Sequence, residues 1–162
     1  MKTSFLLIAG IVLTLLIFPA GAQEIVPNDT TKTMILHFHI KGSNVTFVDG
    51  KVIYGHSANN LDIKDTFTGK MLDSGDRVIK KFGLSDARIT YSDKGHMFTD
   101  DINFSVKVPA MMELATVGVY DTKTGSLLAK ADAAKVMKDF CAAHPKDPDC
   151  SRMPFWMILA GI

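Results

Sequence analysis

Apolar and polar residues alternate most regularly at two places in this chain. Met34, Leu36, Phe38 and Ile40 alternate with Ile35, His37, His39 and Lys41, while Ile102, Phe104, Val106 and Val108 alternate with Asn103, Ser105 and Lys107. A period of two sends successive side chains to opposite faces, so each run predicts a half-buried β-strand. Pro109 ends the second run, since proline has no N–H to give to a sheet. Gly42-Ser43 predicts a turn. Residues 44–48 and 52–54 predict a hairpin about Asp49-Gly50, a strong two-residue turn signal. Weaker strands at 61–67 and 77–82 flank a turn-rich segment, 68–76, and 88–91 and 97–98 are short strand candidates. Residues 116–120 and 126–130 predict a second hairpin, closed by Asp121, Thr122, Lys123, Thr124 and Gly125. One helix is expected at 132–141, where Val136, Met137 and Phe140 share a face and Asp132 can cap the start. Short strands at spacings of about 8–12 residues predict a mostly β, antiparallel sandwich or barrel. The chain has no internal repeat and no low-complexity linker, so residues 33–162 read as one domain.

The N-terminal pattern differs. Lys2 precedes an apolar run over 5–18, followed by Pro19 and the small residues Ala20-Gly21-Ala22. This predicts a secretory signal peptide, residues 1–22, cleaved after Ala22, and a secreted or extracytoplasmic chain. The competing reading is an uncleaved anchor, because the uncharged run nearly reaches the ~20 residues of a spanning helix. Pro19 and the small residues favour cleavage. Residues 23–32 are polar and aperiodic and read as a flexible leader. In an oxidising compartment Cys141 and Cys150 read as one disulfide closing a small loop, worth about 2.5–3 kcal/mol in the loop-entropy model.

The segment Asp100–Ala129, "DDINFSVKVP…TVGVYDTKTGSLLA", resembles the closing strands of immunoglobulin-like modules in secreted proteins. The resemblance implies an antiparallel immunoglobulin-like sandwich with one short C-terminal helix. The paired core cysteines and central Trp of antibody domains are absent, and Trp156 lies near the C-terminus, so no functional residue carries over.

Composition adds exclusions. The chain holds 18 Lys and Arg against 17 Asp and Glu, and Lys2 is the only one of these in the signal segment. Balanced charge without a run of like charges or a basic stripe argues against nucleic acid or an anionic membrane surface as an electrostatic partner. Glu24 and Glu113 are the only glutamates among 17 acids, a bias toward the turn-favouring aspartate. Nucleophile-elbow, zincin, P-loop and dinucleotide motifs are missing, so the chain reads as no enzyme, and no cofactor motif is present.

Four features invite chemistry. His37-x-His39 places two imidazoles on one strand face, where a third ligand from His56, His96, His144 or an aspartate would complete a metal site. The plainer reading, two polar residues on a wet face, is preferred. Asp73, Asp76, Asp100 and Asp101 could gather around calcium, although turn chemistry accounts for them. Asn28, Asn44 and Asn103 each begin an N-x-S/T glycosylation sequon. The uncharged tail Met153–Ile162, with Phe155, Trp156, Ile158 and Leu159, is too short to span a bilayer. It can pack on the core, dock on another subunit's sheet edge, or touch a membrane surface. Together these features predict a non-catalytic secreted binding or structural module with a protein or cell-surface partner that the sequence does not name. The alternatives are a metal-binding protein using His37 and His39, and a self-assembling subunit that docks its tail.

Overall fold

The computed structural model describes residues 31–56, 66–93 and 95–152. The expected signal segment, most of the expected leader with Asn28, the start of the strand expected at 61–67, and the tail with Phe155, Trp156, Ile158 and Leu159 lie outside the described residues. The described chain is mostly β, with nine strands and one α-helix. The strands are β1 (Lys32–Lys41), β2 (Asn44–Tyr54), β3 (Phe67–Leu72), β4 (Val78–Leu84), β5 (Ile89–Ser92), β6 (Gly95–Phe98), β7 (Asp101–Pro109), β8 (Thr116–Asp121) and β9 (Leu127–Asp132). Helix α1 (Ala133–Ala143) follows, and a 3-10 turn covers Cys150–Arg152.

All pairings are antiparallel and form three sheets, β2-β1-β7, β4-β3-β8-β9 and β5-β6. The two regular runs are the neighbouring strands β1 and β7. Their apolar positions Met34, Leu36, Phe38, Ile40, Val106 and Val108 are buried and share one cluster with Phe67, Met71, Phe82, Val117, Val119 and Ala131 of the larger sheet. Phe38 stacks on Phe104 at 5.4 Å and meets Phe47 edge-on. The alternation that buries these residues turns His37 and His39 outward.

The Asp49-Gly50 hairpin does not form. β2 runs unbroken from Asn44 to Tyr54, and the turn before it is Gly42-Ser43, where Gly42 takes φ 61° as a type II′ hairpin requires. Gly50 serves packing instead: a Cβ there would sit 2.8 Å from Leu36 and 2.9 Å from Val136 of α1. The register shift between His37 and Phe38 leaves Val48 as the extra residue of a bulge, exposed to water. The segment expected as turns, 68–76, opens instead with strand β3. Gly69 lies beneath the Phe82 ring, where any Cβ would clash. The turn itself is short: Asp73 accepts from the backbone N–H groups of Gly75 and Arg77, both at 2.9 Å. β1 also takes in Lys32, placed in the leader by sequence.

Helix α1 forms where its pattern predicts. Ala133, Ala134, Val136, Met137, Phe140 and Cys141 are buried, and the helix lies against β2 and β8. Asp132 caps it, its carboxylate accepting from the Lys135 N–H at 2.8 Å. Asp132→Ala is expected to cost about 1 kcal/mol, read as a lower urea midpoint with unchanged slope.

Candidate functional site

Three side-chain groupings could carry function or support it. The first is the outward face of the β2-β1-β7 sheet. His37 faces Asp49 on β2 and Ser105 on β7 in direct register. Its Nδ1 lies 2.7 Å from Ser105 Oγ, and its Nε2 lies 3.9 Å from Asp49 Oδ1. Serine, histidine and aspartate thus align across three strands, yet the imidazole–carboxylate gap exceeds hydrogen-bond length. Asp49 is 71% exposed, so water screens its charge. The row holds the ring in place without a buried carboxylate to orient it as a base. His39 Nε2 lies 2.8 Å from Asp101 Oδ1. The two imidazoles thus have separate carboxylate neighbours, and among the described residues no group of three His, Cys, Asp or Glu is placed to hold a metal ion.

The same face carries two sequons. Asn44 follows the Gly42-Ser43 turn and Asn103 lies on β7; both are exposed. Three of the four aspartates considered for calcium have other neighbours. Asp73 binds Arg77 and its own turn, Asp76 lies 3.6 Å from Lys130, and Asp101 pairs with His39.

The second grouping is buried. Lys32 Nζ lies 2.6 Å from Asp149 Oδ2 and 3.1 Å from Asp147 Oδ1. Tyr54 donates its hydroxyl to Asp147 Oδ2 at 2.9 Å, and the Asp149 N–H reaches Asp147 Oδ1. Burial opposes the Lys32 charge, but hydrogen bonds to Asp149 and Asp147 outweigh it and hold the ammonium above its ordinary pKa. Burial likewise opposes ionisation of Asp147, and its bonds to Lys32 and Tyr54 prevail, lowering its pKa. Cys141 and Cys150 are disulfide-bonded, Cα to Cα 5.3 Å, and the loop they close carries both aspartates. This cluster ties the start of β1 to the segment after α1. Nothing local in the sequence marks Lys32 for it, since its partners lie more than 100 residues away.

The third grouping was hidden from sequence reading altogether. Lys81, Lys70, Gly118 and Lys130 are successive register partners across β4, β3, β8 and β9. They form one basic row on the outward face of the larger sheet, in which the β3-β4 pair brings Lys70 opposite Lys81 and the β8-β9 pair, much later in the chain, adds Lys130. Only the strand order could have revealed them. Elsewhere, Arg88 is paired with Asp86, donates to the Gly42 carbonyl at 2.8 Å, and lies over the rings of Phe67 and Phe98. It fastens the β5-β6 hairpin to the β1-β2 turn. Compared with known proteins, the chain matches no family model, no curated protein and no solved structure.

Proposed function

We propose that this chain is a secreted, non-catalytic binding or structural module, an immunoglobulin-like antiparallel sandwich that acts at or outside the cell surface. The Cys141–Cys150 disulfide carries the reading: structural disulfides persist in oxidising compartments, in keeping with the signal pattern of residues 1–22. The sandwich reading draws support from the shared core of the two larger sheets.

The test is expression of the full chain in a secretory host, followed by native mass spectrometry without reductant. The expected species is a monomer in the medium with the mass of residues 23–162 less two hydrogens. Retention inside the cell, an uncleaved segment 1–22 or free thiols would overturn the reading. Added mass of a metal ion would favour the His37/His39 alternative, and a discrete multimer the docking tail.

A further inference from the structure

Like charges set directly opposite one another on neighbouring strands repel, and a stable face normally answers them with carboxylates. The basic row of the larger sheet has little such answer. Lys81 and Lys70 are direct partners, and no carboxylate among the described residues pairs with either. Lys130, at the other end, has Asp76 at 3.6 Å, but both side chains are at least half exposed and the pair neutralises little.

The centre of the row is built. The Tyr120 ring lies back over Gly118, where an added Cβ would approach Cε2 to 2.6 Å. Lys70 places its ammonium 3.7 Å from the centre of that ring. Glycine at 118 therefore lets the ring lie against the sheet, and the ring holds Lys70 in the line between Lys81 and Lys130 by cation–π attraction. Beside the row, Thr68 of β3 faces Tyr120, and its Oγ1 lies 2.9 Å from Oγ1 of Thr122, just past the end of β8. With strands about 4.8 Å apart, the row extends roughly 14 Å across four strands. That is the span of several units of an extended polymer and longer than one small anion.

We propose that this row binds a linear acidic polysaccharide, with Lys81, Lys70 and Lys130 meeting its carboxylate or sulfate groups and the threonines beside them meeting its hydroxyls. The argument is charge complementarity along a row of three lysines with a pair of threonine hydroxyls beside it. Lys70 covers the Tyr120 ring, so that among the described residues of this row no aromatic face lies open for a nucleobase to stack on. The proposal rests on the extracytoplasmic binding reading above and gives that reading its partner class.

The test uses the purified full chain and two immobilised probes, heparin and polygalacturonate. Binding is expected at about 50 mM salt, with log K falling linearly as log salt rises. The double variant Lys70→Gln/Lys81→Gln should lower that slope by about two, one per lost contact, and weaken binding at least about tenfold. Lys81→Gln alone leaves the Lys70–Tyr120 contact intact and should lower the slope by about one. The control is Lys51→Gln/Lys107→Gln, which removes two lysines flanking Ile35 on the other sheet and should leave binding within about twofold. No retention of the wild type, equal loss in the control, or tighter binding to poly-glutamate than to either polysaccharide would overturn the proposal. These measurements do not depend on cleavage after Ala22, so a failed secretion test and a failed binding test are separate results.

Discussion

Replacing Lys32 by methionine is expected to destabilise the protein by roughly 3–5 kcal/mol at neutral pH, read from urea unfolding. The Lys32 side chain is 2% exposed and that of Asp147 is 1% exposed. Methionine keeps much of the volume and removes the cation that pairs with Asp147. The carboxylate would then stay buried with the Tyr54 hydroxyl and the Asp149 N–H as its partners. Asp149 is 41% exposed and can turn to water, so Asp147 carries most of the penalty. It follows that Lys32→Met/Asp147→Asn should recover more than half of the loss, because the second change removes the stranded charge and keeps an amide oxygen in place. A loss below about 1 kcal/mol in the single variant would mean that the pair behaves as a surface ion pair.

The same cluster sets a pH dependence. Asp147 ionises more readily folded than unfolded, so its contribution is complete above its ordinary value of 3.8 and is lost as pH falls through the lower folded value. Lys32 holds its proton more tightly when folded. Its contribution is complete below its ordinary value of 10.5 and is lost as pH rises through the higher folded value. Between these limits the cluster contributes a plateau, and Lys32→Met should remove the alkaline fall while making the chain easier to unfold at neutral pH.

What the sequence disclosed was local. β1 and β7 were legible because alternation is a property of one strand, and α1 because its apolar spacing and its Asp132 cap lie within a dozen residues. The disulfide followed from two cysteines nine positions apart. Misreadings arose where a residue answers to something distant. Gly50 looks like half of a turn but makes room for Leu36 and Val136, and Gly69 falls in a segment read as turns but lies in a strand under Phe82. Lys32 closes a polar leader in sequence and fills a buried ion cluster in the fold. The basic row is the extreme case: balanced composition concealed it, because three lysines from three separate segments become neighbours only through strand register. His37 and His39 were placed correctly on one outward face, but register gave them separate carboxylate neighbours.

Removing the disulfide, by Cys141→Ala with Cys150→Ala, is expected to cost about 2.5–3 kcal/mol in urea unfolding, as loop-closure entropy predicts for a sequence separation of 9. The consequence reaches beyond the loop. Asp147 and Asp149 lie inside it, so the crosslink also holds the two carboxylates where Lys32 needs them. Opening the ring lets the aspartates reach water, and part of the ion cluster is lost with it. The two perturbations should therefore be coupled. Adding Lys32→Met to the disulfide-free chain should cost less than Lys32→Met costs alone, by about 1 kcal/mol or more, since Asp147 is then free to escape burial. Strict additivity would mean that the backbone bonds from Asp147 N to the His144 carbonyl and from Cys150 N to the Asp147 carbonyl hold the loop without the crosslink. The cycle thus measures how far a covalent crosslink governs the burial of a charge pair that joins the first described strand to the segment beyond the helix.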